Sequence, residues 1–165
     1  MTANIKFAKT HPDAVIPSKR LEDMGFDIYA CFDEDYIEIP AHESKLIPTG
    51  IASVCDHGYG FLLRERGSTG VKNIKISAGV IDSGFRNSWF VCLYNGNDIP
   101  VYIAKYLDGE QSPCNDNAII YPYEKAIAQA LVVPVPEVEV EEIAYTVLQN
   151  IPSERGMGQL GSSLK

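Results

Sequence analysis

The sequence has no apolar run approaching the ~20 residues of a membrane-spanning helix. Residues 1–11 lack the basic-then-apolar layout of a secretory signal. Cysteine is scarce and scattered, and no C-x-x-C pair occurs among Cys31, Cys55, Cys92 and Cys114. This spacing argues against a zinc site and against a dense disulfide framework. We therefore expect no membrane span and a reducing, cytoplasmic environment.

Basic residues are also few: 14 Lys and Arg stand against 22 Asp and Glu, for a net charge of -8. This balance disfavours general binding to nucleic acid or to an anionic membrane. An anionic small substrate would need local arginines, backbone N–H groups or a divalent cation to offset the overall field. The densest acidic run, 137–142, alternates glutamate with valine and predicts the solvated face of an edge strand rather than a metal site.

Helical periodicity is poor along most of the chain, whereas short apolar runs between Gly and Pro recur at roughly every dozen residues. The predicted strands are 5–8, 24–30, 36–39, 45–47, 51–54, 59–63, 74–81 and 89–94, with a further apolar piece at 101–104. Residues 123–133 fit either period, but the β-branched pair Val132 and Val133 before Pro134 favours a strand. The pattern predicts one all-β domain, a sandwich or barrel.

Two stretches depart from this strand pattern. Residues 95–122 are polar and loop-like, and their composition leaves open a neutral insertion or a surface for a protein partner. Residues 153–165 are rich in glycine and have little to bury, so we expect a β domain over 1–152 and a flexible arm over 153–165. Such an arm fits a frayed terminus, and it also fits a mobile segment whose backbone amides, serines and Arg155 wrap an anion.

The stretch 78–94 organises the chain around one carboxylate. An apolar run ends on Asp82, Ser83 and Gly84 follow as a turn, and a second apolar run begins at Trp89. Two such runs joined by turn residues predict a β-hairpin. Asp82 then sits where a strand enters its turn and could polarise a water as a general base. An isolated Asp-Ser-Gly is more often an ordinary turn.

Together, these segments resemble the trimeric dUTPases, the dUTP nucleotidohydrolases. Five segments carry the resemblance, in the family's order: M-G-F-D-I-Y-A at 24–30, R-G-S-T at 66–69, G-V-I-D-S-G-F-R-N at 79–87, I-A-Q at 127–129 and the glycine-rich 155–163. One such match is weak, whereas five in the correct order are specific.

The resemblance implies roles for particular residues. Asp82 would be the general base, and Asp27 would hold Mg²⁺ through water. The residues implied in orienting the phosphates are Arg66, Gly67, Ser68, Gln129, Arg155 and Ser162. The other implied substrate contacts are Gly79, Val80, Ile81, Phe85, Leu160 and Gly161. The main chain of residues 76–84 would read the uracil edge, and Phe85 would pack on the deoxyribose.

The implied reaction is Mg²⁺-dependent attack of water on the α-phosphorus of dUTP, which releases dUMP and pyrophosphate. The implied fold is a jelly-roll-like β domain. The implied assembly is a homotrimer with its sites between subunits and with the arm crossing to a neighbour.

Several positions depart from the family's pattern. Gly67 stands where serine is common, so Ser68 would have to supply the hydroxyl or only backbone contacts remain. Phe85 replaces tyrosine, and Ala126 replaces an arginine. Leu160 replaces the phenylalanine that stacks on uracil, so weaker capture of the base is expected.

Two rival functions follow from the same resemblance. dCTP deaminase shares the fold but needs a glutamate on the strand after the turn, where this chain has Cys92. A thiol is a poor replacement for that acid-base group, so deamination is disfavoured. A non-catalytic jelly-roll binding module would explain the unusual second and fifth segments. The presence of Asp27, Asp82, Gln129 and Arg155 opposes it.

Overall fold

The structure, a computed structural model, describes residues 3–108, 113 and 117–158. Within those residues the strands are β1 Ile5–Lys9, β2 Gly25–Ile28, β3 Tyr36–Ile39, β4 Ser44–Pro48, β5 Ile51–Cys55, β6 Tyr59–Arg64, β7 Ile74–Ile76, β8 Val80–Ile81, β9 Phe90–Asn95, β10 Val101–Ala104, β11 Ile119–Pro122 and β12 Ala128–Pro134. Two short helices accompany them, α1 Gly67–Gly70 and α2 Tyr145–Gln149. The predicted all-β class is confirmed. In this part of the chain, neither helix is long and apolar enough to cross a membrane.

The strands alternate between a buried and a more exposed face, which is why their apolar residues meet in one core. In β9, Val91, Leu93 and Asn95 are buried, and the residues between them are not. The core centres on Trp89, whose ring lies 5.0 Å from that of Phe61 and 5.7 Å from that of Phe7. The core therefore joins strands from separate sheets.

In the described part of the chain the strands form four small sheets, in the orders β1-β5, β11-β10-β3, β4-β9-β7 and β2-β12-β6-β8. The last sheet positions most of the candidate site. Its register pairs Gln129 of β12 with Asp27 of β2 on one side and with Arg64 of β6 on the other. Cross-strand partners share one face of a sheet, so Asp27 and Gln129 lie side by side.

The predicted hairpin over 78–94 is wrong. Strand β8 pairs with β6, whereas β9 pairs with β4 and β7 in another sheet. The chain passes from the sheet of β8 to the sheet of β9 at the buried Trp89. The Trp89 N–H donates to Ile51 O at 2.7 Å, and the Trp89 carbonyl accepts from Thr49 N. The predicted strand 74–81 is likewise two strands, because Ser77 N bonds Cys92 O while Gly79 O accepts from Leu63 N.

The described part of 95–122 holds more regular structure than its loop-like composition predicts. It contributes both β10 and the parallel β11, and β10 also pairs with β3. Buried Asn95 begins it and donates to the carbonyls of Ile39, Pro40 and Ile99 at 2.8–3.2 Å. A protein partner for this stretch stays a prediction.

The acidic run 137–142 is exposed, as predicted, but it is not an edge strand. The last backbone bond of this region runs from Val135 N to Gly58 O. Pro136 follows and has no N–H to donate, so the pairing with β6 ends there.

Candidate active site

A cavity of about 530 Å³ opens where β2, β12 and the end of β6 meet. Its lining residues are Ser18, Lys19, Arg20, Asp23, Met24, Gly25, Asp27, Arg66 and Gln129. The structure thus brings together three sequence-predicted site residues from three distant segments: Asp27, Arg66 and Gln129.

Arg66 and Asp27 face each other across this cavity. Arg66 Nε lies 3.0 Å from Asp27 Oδ1, and Arg66 Nη2 donates to Asp27 Oδ2 at 3.3 Å. Both side chains are 34% exposed, so the ion pair adds little to stability, on the order of 0–1 kcal/mol. The ion pair instead orients Arg66, because the paired guanidinium is held in one direction.

Local structure fixes the backbone at Arg66. Its N–H donates to Thr69 Oγ1 at 3.0 Å, and that hydroxyl donates back to Arg66 O. Thr69 is buried, so this turn is anchored in the protein. Arg66 therefore stands on a rigid support at the end of β6.

Gln129 is placed by a glycine. A Cβ on Gly25 would lie 2.9 Å from Gln129 Oε1, so a larger residue at this position of β2 would displace the Gln129 amide. Gln129 Nε2 donates to Glu65 O at 2.7 Å, and within the described residues no hydrogen bond uses its amide oxygen. The amide can therefore meet a ligand in the cavity.

Gly67 and Ser68 do not line the cavity. The Ser68 hydroxyl lies 3.1 Å from the Tyr121 hydroxyl, which donates to Ala126 O at 2.8 Å. Since the only hydroxyl hydrogen of Tyr121 is used in that second bond, Ser68 is the donor in the first. Ser68 thus links the second sequence segment, through Tyr121, to Ala126 directly before the fourth. Its predicted phosphate contact stays a prediction.

A second groove of about 200 Å³ lies between residues 62–65 and 76–79. Gly79 forms its floor against β6, where a Cβ would lie 3.0 Å from Leu63 O. Val80 is 72% exposed beside it, while Ile81 is buried. The narrow groove bordered by main chain suits a flat ring.

Asp82 and Phe85 lie together on an exposed turn. Phe85 N donates to Asp82 O at 3.1 Å, and Arg86 Nη1 donates to the carbonyls of Ser83 and Phe85. The Phe85 ring is 41% exposed and free to cover a ligand.

The structure does not bring Asp82 to the Arg66 cavity. Ile81 pairs with Phe61 in an antiparallel register, so Asp82 continues beside Gly60. Arg64 is four residues further along β6, about 13 Å at the rise of a β-strand, and Arg66 lies beyond it. One chain therefore presents its predicted base and its predicted phosphate contacts at opposite ends of β6.

Glu65 connects the two grooves and was missed from the sequence. Its Oε1 accepts from Ile76 N at 3.0 Å, and its carbonyl accepts from Gln129. The Ile76 N–H is the main cause that holds the pKa of the Glu65 carboxyl below its usual value, against a smaller opposing effect of burial. The one available signal was an acidic residue directly before Arg66.

The arm is described only in part. Arg155 Nε donates to Gly158 O at 3.3 Å on an exposed turn, and Arg155 does not line the cavity. The predicted contacts Leu160, Gly161 and Ser162 lie outside the described residues.

Comparison with known proteins decides the family. A family model described as dUTPase matches residues 12–107. The chain belongs to the dUTPase family. A deoxyuridine 5'-triphosphate nucleotidohydrolase of Nautilia profundicola is 32% identical over 98% of this chain and 99% of its own length.

Solved structures of dUTPases share the fold of this family member. The Staphylococcus bacteriophage 80alpha dUTPase with dUpNHpp has a TM-score of 0.76 at 21% identity, over 98% of this chain and 99% of its own. The D95N mutant dUTPase of S. aureus phage phi11, described with a structural Mg(II) ion, has a TM-score of 0.67 at 20% identity, over 85% and 96%. These similarities confirm the predicted jelly-roll-like fold.

Proposed function

We propose that this dUTPase-family protein hydrolyses dUTP to dUMP and pyrophosphate. The observation that carries the proposal is the cavity in which the Arg66–Asp27 pair and the Gln129 amide converge. A planar guanidinium fork matches phosphate oxygens, and an amide next to it adds a neutral hydrogen bond. Since the chain is acidic overall, this local set is what a triphosphate requires.

The donor set fits Mg²⁺ that arrives with the substrate. Among the residues that the structure describes, no group of three ligating side chains could hold a metal ion. Mg²⁺ commonly keeps several waters and takes one or two carboxylates plus substrate phosphates. Asp27 would hold it through water, and the bound ion would offset charge on the triphosphate.

In this proposal the nucleoside part of dUTP binds in the second groove. The main chain of residues 76–81 can pair with the uracil edge, and the exposed Phe85 ring can lie on the deoxyribose. Asp82 can accept a proton from a water aimed at the α-phosphorus because its carboxylate stands on an exposed, hydrogen-bonded turn.

The complete site is shared between subunits of a homotrimer. The shared site is supported by the distance between Asp82 and Arg66 within one chain. A neighbouring copy would bring the two residues together by placing its own cavity against the Asp82 turn. Residues 134–158 are all exposed and carry large apolar side chains that a neighbour could cover. These are Val135, Val138, Val140, Ile143, Tyr145, Val147, Leu148, Ile151 and Met157.

The cytoplasm is the proposed location. Cys31, Cys55 and Cys92 are free thiols, which suits a reducing compartment. Deamination of dCTP is the alternative that the site opposes, because Cys92 occupies the glutamate position and lies half-buried opposite Leu46.

The test is release of pyrophosphate from dUTP, dCTP, dTTP and UTP, measured side by side with Mg²⁺. We expect turnover of dUTP far above the other three, and loss of turnover when EDTA removes the metal. Release of ammonia from dCTP would favour a deaminase. Binding of dUTP with no turnover would favour a non-catalytic binding module.

A further inference from the structure

We propose that Arg20 is a second phosphate-binding arginine of the cavity and that it binds the terminal phosphate of the substrate. The inference rests on the proposed function, since it takes dUTP as the ligand. Arg20 lies in the loop before β2, outside every segment that carries the family resemblance.

Arg20 repeats the geometry of Arg66. Its Nε lies 2.9 Å from Asp23 Oδ2, and its Nη2 donates to Asp23 Oδ1 at 3.0 Å. Arg66 meets Asp27 through the same two guanidinium positions. Both pairs line one cavity, so two guanidinium groups are held by aspartates around the same space.

The loop is folded to hold Arg20 in place. Arg20 N also donates to Asp23 Oδ2 at 3.1 Å, and Asp23 N donates to Arg20 O. Lys19 Nζ closes the turn by donating to the carbonyls of Arg20 and Asp23 at 3.2 and 2.7 Å.

Arg20 keeps donors for a ligand. A guanidinium has five N–H donors, and Asp23 takes two of them. Within residues 3–108, 113 and 117–158, the other three meet no acceptor. They can donate to phosphate oxygens while Asp23 keeps the group oriented, and such charge-assisted bonds are the stronger ones in proteins.

Charge and exposure indicate which phosphate is bound. Among the described residues, three cations and two carboxylates line the cavity, a net +1; since Arg20 is paired with Asp23 and Arg66 with Asp27, Lys19 supplies the excess positive charge. The Arg20 side chain is 88% exposed, whereas that of Arg66 is 34% exposed. Arg20 therefore lies at the open rim, where the end of a phosphate chain would emerge.

The experiment measures Kd by calorimetry for dUpNHpp and for dUMP, with Mg²⁺, in three full-length variants. Arg20→Gln removes the charge, Arg20→Lys keeps the charge without the fork, and Lys45→Gln is the control on an exposed strand position away from the cavity. We expect Arg20→Gln to raise the Kd for dUpNHpp about tenfold, as for loss of a charge-assisted hydrogen bond at an exposed site. The Kd for dUMP should stay unchanged, and Arg20→Lys should be intermediate.

An unchanged Kd for dUpNHpp in Arg20→Gln would overturn the inference. An equal loss for dUMP would also overturn it, because Arg20 would then act on the loop and not on the terminal phosphate. If Arg20→Gln does not fold, Arg20→Lys decides by the same comparison. Failure of the proposed function is separate: it would appear as absent dUTP turnover in the unaltered protein.

Discussion

Asp82→Asn is expected to lower kcat for dUTP by about 10²–10⁴-fold, the usual contribution of a positioned general base. An amide cannot accept the proton of the attacking water. Asp82 is exposed, and its turn is held by the Asp82 carbonyl and by Arg86, so the substitution leaves the fold intact. Kd for dUpNHpp should change little.

Steady-state kinetics and thermal unfolding check this result together. Asp108→Asn is the matched control, because Asp108 is also exposed and lies outside both grooves. It should keep the kcat of the unaltered protein. A near-normal kcat in Asp82→Asn would mean that another group acts as the base.

Truncation after Pro152 is expected to abolish most dUTP turnover while the melting temperature barely changes. The hydrogen bonds seen over 153–158, from Gly156 to Ser153 and from Gly158 to Arg155, are local to the segment. Fixing the backbone of each arm residue costs about 1–2 kcal/mol. Charge-assisted bonds from Arg155 and the serines to the triphosphate would offset that cost.

A second variant tests whether hydrolysis needs the side chains of the arm or only its length. Replacing 153–165 with a Gly-Ser segment of equal length should be as inactive as the truncation, because it restores the chain without Arg155. Full-rate hydrolysis by the truncated protein would show that the arm takes no part in the reaction.

Sequence reasoning predicted the fold class correctly, because short apolar runs punctuated by Gly and Pro are a local signal of an all-β domain. Asp27, Arg66 and Gln129 were named from short segments that resemble the dUTPases, and the structure brings these three residues into one cavity. Their roles in the reaction stay predictions.

It failed where the structure depends on distant pairing. The hairpin over 78–94 was wrong because the choice between β6 and β9 as the partner of β8 is made by the buried Trp89, whose bonds to Thr49 and Ile51 no local pattern reveals. Glu65 and Arg20 were missed for a related reason. Glu65 matters through Ile76 N and Gln129, and Arg20 through a cavity completed by β12.

The central claim is that Asp82 of one subunit acts with Arg66 of another, and subunit mixing tests it most directly. Asp82→Asn and Arg66→Gln chains, each nearly inactive alone, are co-expressed with different tags and purified by both. Purification by both tags removes the homotrimers, and in the mixed cyclic trimers that remain about a third of the shared sites would have both residues intact. We predict that the mixed protein regains dUTP hydrolysis of that order. Activity no higher than that of the two variants measured separately would contradict a shared site.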